Sequence, residues 1–271
     1  MTRTFFGIRS AEIFTIALLV LASVVAILST GARAAALCFP VTTSRGVLTT
    51  AMVDQTSGTI DATGCDIGDY IQTSTTVSGL TVHDANQYGI FVDSQLAAIS
   101  VSISGATVYN IGAHTGTSFT PNGVQTGIDI IFDSGASGPT ASGSIDSSTI
   151  YAYQKGGIVI NHNSIVSTTN NVVTGLGPVN YIAQNGIEYA RDASGTIRGN
   201  TVSDNFYTGA TGVLANGDPC GGAYPKCPPG RQYVSTGILL VLIDPNTIQR
   251  GQNTLINNQH NYAIIPDAAF D

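Results

Sequence analysis

The sequence predicts an all-β protein: a single-stranded, right-handed parallel β-helix, a solenoid of about eight coils. Three observations carry this expectation. The chain is 43% hydrophobic but only 10% charged, with 31 Gly and no Trp. A typical soluble domain is roughly 25% charged. A Gly followed by Ile or Val recurs along the chain, each time opening an alternating apolar stretch. An Asn then follows several of these anchors at a similar distance.

The first element is a targeting segment. Arg3 and Arg9 precede an apolar run from Ile13 to Leu28, and Ala32-Arg33-Ala34 follows with small residues at A-x-A spacing. This is the layout of a secretory signal peptide. It predicts a signal over 1–34 with cleavage after Ala34, or else after Ala36. The run is short for a bilayer core of about 30 Å, and no later stretch is apolar enough to span. Leu37 before Cys38 is not small, which argues against a lipobox. Cleavage removes Arg3, Arg9, Arg33 and Glu12, so the exported chain is more acidic than the full net charge of −7.

Residues 35–80 are expected to form an N-terminal cap and the first coils, and residues 81–271 the β-helix proper. Four cysteines follow the signal: Cys38, Cys65, Cys220 and Cys227. An even count in an exported chain points to disulfides. Three pairings are open, and sequence proximity favours Cys38–Cys65 with Cys220–Cys227. Neither pair has C-x-x-C spacing or a nearby His, which argues against metal.

The repeat comes next. Anchors stand at Gly89-Ile90, Gly127-Ile128, Gly157-Ile158, Gly186-Ile187, Gly212-Val213 and Gly237-Ile238, with Ala263-Ile264 as a worn last copy. A polar insertion around His114 to Gly123 explains the one long spacing. Between anchors lie short Val/Ile/Thr-rich runs broken by Gly, Asn, Asp and Ser, the pattern of strands and turns. Asn171, Asn200 and Asn253 each follow an anchor and are expected to form an internal ladder of side-chain amides, with Asn tolerated at tight turns. One copy is missing where a Pro/Gly/Cys-rich excursion at 216–231 intervenes. In such a stack, successive coils lie about 4.8 Å apart. Aliphatic residues fill the inside, and Gly and Asn occupy turns that need φ > 0. Right-handedness follows from the crossover preference of parallel strands.

The anchors and Asn turns resemble the right-handed parallel β-helix proteins of the pectin-lyase-like fold. Residues 59–68, 153–158 and 182–187 resemble secreted bacterial proteins known only for their PbH1 repeats. The resemblance covers about residues 58 to 265. It implies the fold. Members include polysaccharide lyases, glycoside hydrolases, esterases, epimerases, phage tailspikes and non-catalytic adhesins, so it implies no single activity. The paired-Asp, Gly-His-Gly and Arg-x-Lys motifs of the galacturonan hydrolases are absent, as is the Arg-x-Pro-x-x-Arg pattern of the pectate lyases. No P-loop, G-x-S-x-G elbow or H-E-x-x-H is present either. The acidic balance leaves no basic stripe for a nucleic acid.

Charge is scarce, so its placement is informative. Two residues before successive anchors stand Gln87, Gln125, Lys155 and Gln184. Two residues after stand Asp129, Val159 and Glu188, and five after stand His162 and Arg191. If the Ile of each anchor points inward, Asp129 and Glu188 face outward, two coils or about 9.6 Å apart along the backbone. One outer face is then expected to gather Lys155, Glu188 and Arg191 as a catalytic group. Asp129, His162, Gln184, Tyr153 and Tyr181 would bind substrate. A lyase acting on a uronate polymer needs a base and a cation that neutralises the carboxylate. Lys155 or His162 can serve as the base and Arg191 as the neutraliser. The two carboxylates can hold Ca²⁺, or act as acid and base in a hydrolase. No cofactor is required. Tyr151, Tyr153, Tyr181, Tyr189 and Tyr207 cluster in the same coils as candidate sugar platforms, with Tyr189 expected to face inward. His83, His114 and His260 are read as isolated surface or turn residues. The expected partner is an acidic extracellular polysaccharide or cell-surface glycan, with no membrane contact after signal cleavage. The competing expectation is a non-catalytic adhesive or structural solenoid.

Overall fold

In the computed structural model, residues 37–208 and 235–265 are described. All belong to one compact unit, Ala35–Asp271. The signal at 1–34 and the excursion at 216–231, with Cys220 and Cys227, lie outside the described residues.

The fold is all-β with three long sheets whose strands run almost entirely parallel. The first sheet has nine strands in the order Phe39–Thr43, Gly46–Val53, Ile67–Ile71, Tyr88–Asp93, Ile128–Asp133, Gly156–Asn161, Asn185–Ala190, Thr236–Val241 and His260–Ile265. The second has six strands and the third has seven. The chain visits them in rotation: Ile128–Asp133, then Ala141–Asp146 in the second, then Thr149–Tyr153 in the third, then Gly156–Asn161 back in the first. A chain that returns to the same sheet each time stacks its strands by sequence order. Among the described residues, only Phe39–Thr43 and Gly46–Val53, and the small hairpin His114–Thr115 with Ser118–Phe119, pair antiparallel.

Aliphatic columns fill the interior. Ile90, Ile130, Ile158, Ile187 and Ile238 stack in register from the first sheet and are buried. Val82, Val108, Ile150, Val173 and Val202 face them from the third. Gly is demanded where these sheets converge. A Cβ on Gly157 would lie 2.6 Å from Val173 Cγ1 and 2.7 Å from the Gly186 carbonyl.

The corner between the second and third sheets explains much of the remaining Gly and Asn. Gly79, Gly105, Ser147, Asn170 and Gly199 stand one above another, with φ of 63°, 60°, 51°, 56° and 73°. That left-handed region costs Gly nothing and Asn little. The residues that follow close the corner with side-chain bonds. Ser148 Oγ accepts the Ala106 N–H at 3.1 Å, and Asn171 Oδ1 accepts the Ser148 N–H at 3.0 Å. Asn200 Oδ1 accepts both the N–H and the Nδ2 of Asn171 at 3.0 Å, and Asn253 Oδ1 does the same for Asn200.

Two further ladders escape the sequence pattern. Asn258 Oδ1 accepts from Asn205, whose own Oδ1 accepts the Tyr153 hydroxyl at 2.6 Å. Gln154 Oε1 accepts the N–H groups of Ala113 and Asn122, Gln184 Oε1 that of Leu176, and Gln259 Oε1 those of Tyr207 and Ser235. Each satisfies main-chain donors that the turns would otherwise leave buried and unpaired.

The N-terminal hairpin folds over the outside of the first sheet. Val41 and Leu48 pack on an outer apolar cluster of Ile67, Tyr70, Tyr88, Phe91, Ile128, Ile131 and Val159. Cys38 and Cys65 are joined by a disulfide.

Candidate functional site

Where the hairpin ends, the outer face of the first sheet opens into a groove of about 390 Å³. Its polar walls carry Arg45, Lys155, Asn161, Asn185, Glu188 and Arg191, and its apolar floor includes Val159, Leu239 and Ile265. Of the five Lys and Arg among the described residues, three line it.

The strand register puts these charges there. Ile131, Val159, Glu188 and Leu239 occupy one outward column, so Glu188 is the one carboxylate in an apolar row. Asn185 Nδ2 donates to Glu188 Oε2 at 2.8 Å and holds it upright. Lys155 precedes the neighbouring strand. Its Nζ donates to the Ala183 carbonyl at 3.2 Å. Burial pulls the Lys155 ammonium below the ordinary lysine range, against the opposing pull of Glu188. Arg191 and His162 sit at stacked corners, both with φ of 51°. Arg191 Nη1 donates to Asn161 Oδ1 at 3.2 Å.

Arg45 comes from the tip of the N-terminal hairpin. Its Nε donates to Asp133 Oδ2 at 2.7 Å and its guanidinium lies 5.7 Å from the centre of the Tyr88 ring. His162 Nδ1 bonds the other oxygen of Asp133 at 2.7 Å. Burial alone would raise the Asp133 carboxyl, but Arg45, His162 and the Gly135 N–H outweigh it and hold it below the usual carboxylate range. Asp133 thus neutralises Arg45, whereas Lys155 and Arg191 face the groove with Glu188. The Lys155 and Arg191 side chains offer donors suited to a carboxylate or sulfate. Lys155 also supplies a desolvated amine that can take up a proton.

Lys155, Glu188 and Arg191 line one groove, but several other residues expected on this face do not reach it. Asp129 is fully buried and points inward. The reason is register: Ile128 pairs with Tyr88 and Gly156, and Ile130 with Ile90 and Ile158. Asp129 therefore occupies the place of Gly89 and Gly157, not a place two residues beyond the anchor. Neither of its oxygens has a hydrogen-bond partner. The Tyr151 N–H faces it without reaching hydrogen-bond geometry, and burial drives its carboxyl well above the ordinary range. It cannot join Glu188 in holding Ca²⁺ from the outer face. Gln184 is likewise fully buried, with Nε2 donating to the Tyr153 carbonyl at 2.7 Å. Tyr153 is buried with its hydroxyl on Asn205. Tyr181 is half-buried, and neither it nor His162 lines the groove. Tyr189 is buried, its hydroxyl donating to the Val166 carbonyl at 2.7 Å.

Arg45 was not singled out from the sequence. The Thr43-Ser44-Arg45-Gly46 turn signals a hairpin, but not where that hairpin docks. His83 and His114 are not isolated surface residues either: both side chains are buried beside Asp84.

Among the described residues, no helix is long and apolar enough to cross a membrane. Compared with known proteins, the chain has no significant match to any protein-family profile, curated protein or solved structure.

Proposed function

We propose that this is an exported, right-handed parallel β-helix of about eight coils that takes an acidic extracellular polysaccharide into the groove on its first sheet. The observation that carries this reading is the gathering of Lys155 and Arg191, beside the Asp133-paired Arg45, in one groove of a chain with so few cations. The Cys38–Cys65 disulfide suits an oxidising compartment, and the resemblance to β-helix repeat proteins supplies the handedness.

The chemistry the groove can support is β-elimination. Arg191 would pair with the uronate carboxylate and stabilise the charge that grows there as the α-proton leaves. Lys155, whose ammonium burial pulls below the ordinary lysine range, would in its neutral form accept that proton. The electron pair of that C–H bond then forms the double bond and expels the glycosidic oxygen, which takes up a proton from water, giving an unsaturated sugar end and a free hydroxyl on the departing chain.

The test is incubation of the full chain with pectin, alginate and glycosaminoglycans, read by ultraviolet absorbance of the unsaturated product. A rate that climbs with pH on a limb below the usual lysine value of about 10.4, and that is lost in Lys155→Ala, supports the reaction. Arg191→Ala should weaken apparent affinity by about 10–100-fold, the scale of one charge-assisted contact. Binding on a glycan array without product would leave a non-catalytic receptor. Silence in both assays overturns the reading.

A further inference from the structure

A second cluster of polar side chains lies away from the groove, on the third sheet. Asp61 and His83 are cross-strand neighbours at the ends of strands Thr59–Asp61 and Thr81–His83. Asp84 follows in the left-handed conformation, φ 63°, which turns its side chain back beside His83. One possible ligand atom from each of these three residues lies within 4.8 Å of the other two. The His83 ring is fixed by stacking on Tyr109 at 5.0 Å, and Asn110 Nδ2 donates to Asp84 Oδ1 at 3.1 Å.

His114 comes from elsewhere, on the small hairpin of the insertion between the third and first sheets. Its side chain is only 5% exposed. Its Nδ1 lies 2.8 Å from the Gly112 carbonyl, an acceptor that requires the proton on Nδ1. In a neutral ring, Nε2 is then a bare lone pair. That nitrogen is buried, has no hydrogen-bond partner and points at Asp84 Oδ1 from 3.6 Å. Two lone pairs facing each other in a buried site repel, so something positive belongs between them.

We propose that Asp61, His83, Asp84 and His114 bind a divalent transition-metal ion of the zinc class. Two imidazoles with carboxylates suit Zn²⁺, whereas Ca²⁺ and Mg²⁺ prefer oxygen alone. A histidine whose Nδ1–H is held by a carbonyl, with Nε2 presented inward, is the arrangement in which outer partners orient a metal ligand. The ion would clamp the insertion that carries His114 to the first turns of the stack. It is a structural clip, independent of what the groove binds.

The test uses the full chain without an affinity tag, stripped with a chelator. Zn²⁺ titrated by calorimetry should bind at about one ion per chain, as a closed four-ligand site takes, and should raise the melting temperature, with Ca²⁺ giving neither effect. His114→Gln should weaken Zn²⁺ binding at least about tenfold, the lower bound even for loss of an outer partner, and should remove the thermal shift. Should that variant fail to fold, Co²⁺ added to the unaltered chain supplies the deciding readout. A visible absorption band displaced by Zn²⁺ supports the site. No band, or Zn²⁺ binding unchanged in a folded His114→Gln chain, overturns it, and the lone pair is then satisfied by a proton.

Discussion

Asp129 shows what one residue in the wrong column does. It stands where Gly89 and Gly157 stand in the adjacent coils, buried and without a hydrogen-bond partner. Burial raises its carboxyl well above the ordinary range, so it stays protonated while an unfolded chain would ionise it near pH 3.9. Between that pH and its raised folded value, the unfolded state binds fewer protons than the native state, so stability falls as pH rises. Asp129→Asn, neutral at every pH, should therefore be more stable than the native chain near pH 7, by about 1–3 kcal/mol. The gap should close as pH drops to about 4. Denaturant midpoints measured across that range check it, and a gap independent of pH would contradict it. The sequence contained the signal that aligns this strand. Ile130-Ile131-Phe132 matches Ile158-Val159-Ile160, which puts Asp129 level with Gly157. The Gly127-Ile128 pair at the end of the insertion mimics an anchor two residues early and hides the match.

At the scale of an element, the Asn corner is the strongest local device. Asn200 accepts two bonds from Asn171 and donates Nδ2 to the Thr168 carbonyl at 2.9 Å. Asn200→Ala strands these buried partners at once, and should destabilise the fold by about 2–4 kcal/mol, since each unsatisfied buried group costs about 1–3 kcal/mol. Asn257→Ala, in a more exposed turn, should cost far less; equal midpoints for the two variants would refute the ladder's importance. The Asn spacing was readable because a corner repeated in every coil places the same residue type at the same interval. The Asn205–Asn258 pair keeps the same interval of 53 residues as Asn200–Asn253, but Gly177 stands opposite Asn205 in the preceding coil, so no third copy marks it; uneven turn lengths hide the Gln154, Gln184 and Gln259 ladder. Gln184 shows the consequence. Beside Lys155 it looks like part of an outer polar row, yet its amide is spent inside on main-chain groups.

For the whole molecule, the N-terminal hairpin is the element that joins distant parts. It covers the outer cluster of the first sheet, brings Arg45 to Asp133, and is tied back through Cys38–Cys65, which are 27 residues apart. Reduction of that bond should lower stability by about 3–4 kcal/mol from the freed chain entropy. Thermal unfolding with and without reductant measures this. Sequence alone determined the architecture: short β-branched runs at a repeated interval can bury their apolar side only by stacking, and tight corners can be turned only by Gly, Asn and a few others. It also brought Lys155, Glu188 and Arg191 to adjacent coils, because neighbours in a regular stack are one repeat apart. Only the tertiary structure decided which polar residues face out, since a shift of register by one place along a strand exchanges core for surface. It alone brought Arg45 to the groove and His114 to Asp84, because a hairpin and an insertion fold back over distances that no repeat interval encodes.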